Sequence, residues 1–417
     1  MKAAAGDVVI TSVAVLTSVA DTPDGFAQAL RDGRSGVQLA EVPEFGRVPV
    51  AVPAAPVAAP SAGPLAEPAR ASRLRALADR CSLPTLAAAR VGWEAVLSAG
   101  LSDSELGRTA VVVGGNNLAL GYQARVWAAC AGGGTVLPSH AVAHLDIDTV
   151  GVISELTGVA AEGCTIGGSS ASGALALIHG ARLLALGAAD HCLVVGALSE
   201  LSAPEYRAFT DAGAMAGGPV RSPRAVCRPF DAARSGFVHG HGAGAMVLER
   251  SGTARRRGAR PLAVLAGHAQ RLDGRRGTEP RPERQAETIT AALADAGLRA
   301  GEVDYVNAHA TGSRLGDRAE AEALHQVFGR ARPLVNSTKE LTGHCLAAAG
   351  LIEAIATVLQ LRDGFCHPNP NLAQPEDTRL AYAGRQPAVG RLRAAVSTSF
   401  AFSGINAAIA ITTPEDS

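Results

Sequence analysis

Short β-branched runs alternate with Ala/Leu-rich helical runs along this chain, and that alternation limits the folds open to it. Residues 8–15, 110–113, 192–195, 243–248, 262–266, 303–307, 394–399 and 407–411 read as strands, and residues 84–99, 171–186, 283–296, 318–327 and 347–361 read as helices. Such an order argues for helices layered on sheets, an α/β architecture. Gly187 and Gly297 fall just past two helical runs, where C-terminal stops belong. The 417 residues suffice for one large core or two fused halves. A coarse two-part rhythm is visible, with its break near residues 250–261, and no short repeat accompanies it. Residues 43–70, rich in Pro and Ala, read as an irregular surface excursion. They follow only one strand and one helix, too little for an interdomain linker to separate.

Charge narrows the partners. The formal net charge is zero, so global charge points to neither nucleic acid nor membrane. Arginines do cluster locally, at 255–257, at Arg260 and from Arg271 to Arg284, as a solvated loop or a docking patch for an acidic partner. The seven cysteines are odd in number and form no CxxC pair, so no disulfide framework, zinc ribbon or other metal site is read, and a reducing cytoplasm fits. The N-terminus shows no signal-peptide pattern, and no run reaches the ~20 apolar residues of a membrane span.

Four segments carry chemistry. In Cys164-Thr-Ile-Gly-Gly-Ser-Ser-Ala-Ser-Gly173, small residues permit a tight turn into a helix, with Ser170 at the positive end of its dipole. Alone, this segment reads equally as an N-cap serine behind a glycine-rich entry. It does not match the Gly-x-Ser-x-Gly elbow of α/β-hydrolases. Val306-Asn-Ala-His-Ala-Thr-Gly-Ser-Arg-Leu-Gly-Asp317 places His309 at a strand end before a small polar loop, with Glu320 beyond. Asn336-Ser-Thr-Lys-Glu-Leu-Thr-Gly-His-Cys-Leu-Ala-Ala-Ala-Gly350 places Lys339 and His344 beside a turn into an Ala-rich helix that carries Glu353. Ser397-Thr-Ser-Phe-Ala-Phe-Ser-Gly-Ile-Asn406 ends a strand in a small-residue turn at Phe402, which by itself reads as a buried aromatic.

In this order and spacing the four segments resemble the β-ketoacyl synthase family over nearly the whole chain. Val8-Val-Ile-Thr11, Gly33-Arg-Ser-Gly36, Arg228-Pro-Phe-Asp231 and Gly236-Phe-Val-His-Gly-His-Gly-Ala-Gly244 add to the match. The resemblance implies a thiolase fold: two related βαβαβαββ halves, about 1–255 and 256–417, in an α-β-α-β-α arrangement forming one unit over 1–417. It implies His309 and His344 as the active-site histidines and Lys339 as a structural lysine held by Asp317, Glu320 or Glu353. Thr311 and Ser313 would contact a phosphopantetheine arm. The backbone N–H groups of Ser170 and Phe402 would form an oxyanion hole, with Phe402 as gate. The arm arrives on an acyl carrier protein, so no dissociable cofactor is implied, and a homodimer is.

The chain departs from the family pattern where chemistry is decided. Ser170 stands where the family keeps its nucleophilic cysteine, and Gly168-Ser169 replaces the usual Thr-Ala before it. His241 replaces a glutamate, and Ala401 and Ser403 replace glycines. A thiol is partly ionised near neutrality and intrinsically nucleophilic, whereas a hydroxyl needs a base and yields an ester, a poorer acyl donor. Chain elongation should therefore fail. Decarboxylation needs no acyl-accepting nucleophile. It needs donors where enolate charge develops, and both histidines are kept.

The chain thus resembles the decarboxylating ketosynthases of polyketide β-branching cassettes, which carry serine at this position. Asp148-Thr-Val-Gly-Val-Ile-Ser-Glu155 and Ile166–Gly173 also look like their sequence. The implied reaction is malonyl-carrier to acetyl-carrier protein, feeding an HMG-CoA-synthase-like enzyme. A silent chain-length-factor subunit, an acyltransferase using Ser170 as a true nucleophile, and an elongating ketosynthase whose cysteine has been substituted are the other readings.

Overall fold

The computed structural model describes residues 8–53, 56–57, 80–217 and 222–414. Its first run of elements is β1 (Val8–Leu16), α1 (Leu83–Ala99), β2 (Thr109–Gly114), α2 (Asp148–Thr157), β3 (Gly163–Ile166), α3 (Ser172–Ala185), β4 (His191–Gly196) and β5 (Ala243–Arg250). The second is β6 (Ala263–Leu272), α4 (Pro282–Asp295), β7 (Tyr305–Asn307), α5 (Arg314–Phe328), β8 (Leu334–Asn336), α6 (Ala349–Asp363), β9 (Ala381–Tyr382), β10 (Ala394–Ala401) and β11 (Ile405–Thr412).

The eleven strands hydrogen-bond in the order β9-β8-β7-β10-β11-β6-β1-β5-β4-β2-β3. One pairing scheme occurs twice. From β1 outward, β5 and then β4 join antiparallel, and β2 and then β3 join parallel. From β6 outward, β11 and then β10 join antiparallel, and β7 and then β8 join parallel. The two stretches meet where Val8, Val9 and Ile10 pair with Leu265, Val264 and Ala263.

Packing divides into layers. Val91 and Trp93 of α1 and Ile153 of α2 cover the outer face of the first stretch, against Leu193 and Val195 of β4. Ile289 and Leu293 of α4 and Leu324 of α5 cover the second, against Val306 and Val396. Between them lie α3 and α6, whose Leu177, Leu184, Leu351 and Ile355 share a core with Val194, Leu248 and Ile409. Every residue of α6 from Ala349 to Leu361 is buried, so this helix has no solvent face, as the middle of an α-β-α-β-α stack requires.

Local signals behave as chemistry dictates. Gly187 takes φ 71°, its N–H reaches the Leu184 carbonyl at 3.1 Å, and the Ala188 N–H reaches Leu183 at 3.0 Å, a Schellman stop for α3. Gly297 and Leu298 end α4 in the same way. The Pro/Ala-rich stretch is corrected in part. Gly46–Ala51 is a strand, paired antiparallel with Val37–Val42. Pro49 is tolerated there because the third strand pairs only at Val50 and Ala51, beyond the residue that lacks an N–H. Residues 54–55 and 58–70 of that stretch lie outside the described residues.

The two central helices touch at glycines. A Cβ at Gly173 would stand 2.7 Å from the Leu351 backbone nitrogen, and one at Gly350 would stand 2.9 Å from the Ala174 nitrogen. Gly173→Val should therefore overpack this crossing and lower unfolding free energy by about 1–3 kcal/mol. Denaturant unfolding measures it, and a loss below about 0.5 kcal/mol, typical of a surface change, would contradict the tight crossing.

Candidate active site

The C-terminal ends of β3, β7 and β10 open on one region, and the four sequence segments converge there. Ser170 follows β3 through Gly167 and Gly168, in a single turn of 3-10 helix that runs into α3. The turn is sharp. Ser169 takes φ 51°, a left-handed conformation costly for a residue with a Cβ. The Ser172 hydroxyl holds it, accepting from the Gly168 N–H at 2.9 Å and donating to the Ser169 carbonyl at 2.7 Å. Ser170 is thereby lifted to the wall of a cavity of about 210 Å³.

His344 reaches that cavity from the loop before α6. Gly343, at φ 68°, turns the chain where a Cβ would meet Ala51 and Gly240. The His344 N–H is tied to the Val238 carbonyl at 2.7 Å. Its Nε2 then lies 2.8 Å from the Ser170 hydroxyl oxygen. His309 follows β7, and its ring stands edge-on to that of His344, with centroids 5.6 Å apart.

Carboxylates fix the histidine loop through its backbone. Glu320 accepts from the His309 and Ala310 N–H groups at 2.8 and 2.7 Å, and the Thr398 hydroxyl donates to it at 2.6 Å. Asp317 accepts from the N–H groups of Thr311, Gly312 and Phe230 at 3.0, 3.1 and 2.8 Å, with Arg234 at 3.7 Å. Of the three acids read as partners of Lys339, Glu353 is the one that pairs with it, and both side chains are buried.

Burial dominates the electrostatics. It pushes Glu353 up to about 7 in spite of the Lys339 ammonium, and Asp317 up to about 7 in spite of its hydrogen bonds. It holds both histidines well below the ordinary imidazole value of 6.5, with the Lys339 charge acting in the same direction. Both imidazoles are therefore neutral at physiological pH. Neither Nδ1 has a hydrogen-bond partner among the described residues. A proton on Nε2 leaves only a lone pair unpaired at Nδ1, which costs less than an orphaned N–H, so each imidazole presents an Nε2–H donor.

The remaining expected residues line the same cavity. Thr311 and Ser313 do, and the Ser313 hydroxyl oxygen also caps α5 by accepting from the Gly316 N–H at 3.2 Å. Phe402 sits in the turn after β10, with its ring 6.4 Å from that of Phe209. Sequence reasoning missed three aromatics. Phe237 packs edge-on to His344 at 5.3 Å, Phe400 lies 6.3 Å from His309, and Phe209 faces Phe402. Phe400 stands two residues before Phe402 in the same segment, and that closeness was a usable signal that both line the cavity.

Other sequence readings fall elsewhere. Cys345 is buried and its thiol pushed up to about 12, and Cys164 is half-buried with its thiol also raised by burial. His241 lies against His239, ring to ring at 5.1 Å. The basic run from 255 to 284 is not one patch. Arg257 bonds to Glu249 and the Ala99 carbonyl, at the end of β5 away from the site. Only the part after β6 comes to the cavity, where Asp273, Thr278 and Pro280 line it.

The sequence matches the β-ketoacyl synthase N-terminal domain over residues 5–254 and the β-ketoacyl synthase C-terminal domain over residues 262–373. The chain belongs to the β-ketoacyl synthase family, and its fold is the thiolase fold. It is 34% identical over 407 residues to the polyketide biosynthesis malonyl-ACP decarboxylase PksF of Bacillus subtilis, covering 97% of this chain and 96% of that protein. A β-ketoacyl synthase from Burkholderia phymatum superposes with a TM-score of 0.86 at 27% identity, over 99% of this chain and 100% of the other. The ishigamide ketosynthase/chain length factor does so with 0.86 at 28% identity, over 98% and 99%.

Neutral imidazoles give a pH signature. Their folded pKa lies well below 6.5, so they lose their neutral form only at lower pH. The acid limb of kcat/KM for the reaction below should fall below pH 6.5. A limb centred at or above that value would contradict the buried, neutral pair.

Proposed function

We propose that this chain converts a malonyl thioester on an acyl carrier protein to the acetyl thioester and does not elongate it. The observation that carries the reading is Ser170, at the position of the family's nucleophile, hydrogen-bonded to His344 beside a second neutral histidine. The activity named for PksF supports it.

The chemistry follows from the donors. The thioester oxygen sits between Nε2–H of His309 and Nε2–H of His344. As carbon dioxide leaves, negative charge gathers on that oxygen, and two preorganised donors stabilise it most at the transition state. The charge of Lys339, which is paired with Glu353, adds to burial in keeping both imidazoles unprotonated and does not enter the reaction. Thr311 and Ser313 contact the phosphopantetheine arm. The Ser170 and Phe402 N–H groups form the second oxyanion site, and Phe402 gates the cavity. The acetyl product supplies a β-branching step of polyketide assembly. The seven free thiols fit a cytoplasmic setting.

Surfaces suit the partners. Arg275, Arg276 and Arg314 are exposed around the cavity mouth, with Leu272 and Leu315 at 56% and 54% exposure among them. A basic rim with apolar contacts fits an acidic carrier. A homodimer accounts for the exposed apolar side chains Trp127, Leu137 and Val142, at 74%, 72% and 55% exposure, and for β3, which is the last strand of the sheet among the described residues.

His309→Ala and His344→Ala should each lower acetyl-carrier formation by about 10²–10³-fold, the effect of losing one oxyanion donor. A loss under tenfold in both, read by mass spectrometry of the carrier, would sink the two-histidine mechanism. Charge reversal at Arg275 and Arg276 should raise KM for the carrier and flatten its salt dependence. An unchanged KM would place docking elsewhere. Gel filtration should give twice the chain mass, and a single-chain mass would refute the dimer.

A further inference from the structure

Loss of carbon dioxide leaves an enolate whose carbon must still gain a proton, and the two imidazole donors are committed to its oxygen. Around those imidazoles the cavity walls are Phe237 and Phe400, which carry no proton to give. The cavity also has polar side chains, Ser169, Thr311 and Glu320 among them, and of these Ser170 is the one that bonds to an imidazole nitrogen of the pair among the described residues. It is 9% exposed, opens on the cavity and lies 2.8 Å from His344 Nε2. Before substrate binds, the His344 Nε2–H donates to the serine oxygen and the hydroxyl hydrogen points into the cavity. The thioester oxygen takes over that N–H when substrate binds, and the N–H is released again once the carbonyl is restored.

Position adds a second argument. In a condensing enzyme the enolate carbon attacks an acyl group carried on the nucleophile, so the nucleophile's atom stands beside that carbon. Here the same place holds a hydroxyl. The electrophile that the carbon meets is then a proton instead of an acyl group.

We propose that Ser170 is the catalytic acid of this site, delivering its hydroxyl proton to the enolate carbon. The proposal rests on the decarboxylase reading. The Oγ–H bond breaks, a C–H bond forms and the acetyl thioester carbonyl is restored. The alkoxide left on Ser170, stabilised by the His344 N–H, takes a proton from a solvent water. The resulting hydroxide combines with the carbon dioxide as bicarbonate. The sum is malonyl carboxylate plus water giving acetyl thioester plus bicarbonate, with atoms and charge in balance. The serine is regenerated and never acylated.

An enolate deprived of its acid lives longer and can recapture carbon dioxide. The test incubates malonyl-carrier protein with the wild type, Ser170→Ala and Ser170→Cys in isotopically labelled bicarbonate, and reads label returned to the malonyl group by mass spectrometry. A parallel run in equal volumes of ordinary and deuterated water reads the hydrogen isotope ratio of the acetyl methyl group. Ser170→Ala should show several-fold more label return than the wild type and a shifted isotope ratio. Ser170→Cys, which keeps a transferable proton, should move both back toward the wild type. Equal label return and an equal ratio in wild type and Ser170→Ala would overturn the proposal, because another group would then be the acid. So would a folded Ser170→Ala that forms neither acetyl product nor exchanged malonyl, because the serine would then act before carbon dioxide leaves. A wild type that releases no carbon dioxide overturns the decarboxylase reading itself, an outcome distinct from the other two.

Discussion

The close crossing of the two buried helices is the constraint on which the site depends. Ser170 precedes α3 and His344 precedes α6, and each is carried to the cavity by the first turn of its helix. The helices approach because Gly173 and Gly350 put no side chain between them. With the helices further apart, Oγ of Ser170 and Nε2 of His344 could not stand at 2.8 Å. Since α6 is buried all round, its position is set by packing against both sheets, and the loop before it inherits that precision.

Electrostatics completes what packing begins. A buried cluster of Lys339, Glu353, Glu320 and Asp317 is dear in isolation, and each group has a charged partner or backbone N–H donors, while Oε2 of Glu353 has no hydrogen-bond partner among the described residues. The consequence for chemistry lies in the imidazoles. Burial and the nearby ammonium keep both uncharged. An uncharged imidazole donates one hydrogen bond at Nε2 and brings no fixed charge to the ground state. Such a pair is matched to charge that appears only as the carboxylate departs. The serine, in turn, removes the acyl-accepting step without disturbing this arrangement.

Much of this was legible in the sequence, and physical reasons separate what was from what was not. The Val-rich strands β2 and β4 and the Ala/Leu-rich helices α1, α3 and α6 announced themselves because their patterns are long. Gly187 and Gly297 marked helix ends because left-handed stops favour glycine. His309, His344, Lys339 and Phe402 stood out because they follow strands or precede helices within small-residue turns. The strands β3, β8 and β9 have four residues or fewer, too few for a periodicity to show. The strand Gly46–Ala51 was hidden by Pro49, harmless only because of a pairing that spans to residues 239–240. Phe209 and Phe237 come from distant segments, and nothing local marks them as cavity walls. The basic run was misread as one patch because proximity in sequence does not report that the ten residues of β6 stand between Arg257 and Arg275, so that the two arginines lie beyond opposite ends of that strand.

The fold and the family leave one question decisive for this chain, which is what a ketosynthase site does when its thiol is a hydroxyl. The most direct test is intact mass spectrometry of malonyl-loaded acyl carrier protein and of the enzyme after incubation together. The account requires the carrier to lose the mass of carbon dioxide while the enzyme stays unmodified. An unchanged carrier, as for a silent partner subunit, or an acyl adduct on Ser170, as for a transferase, would contradict it.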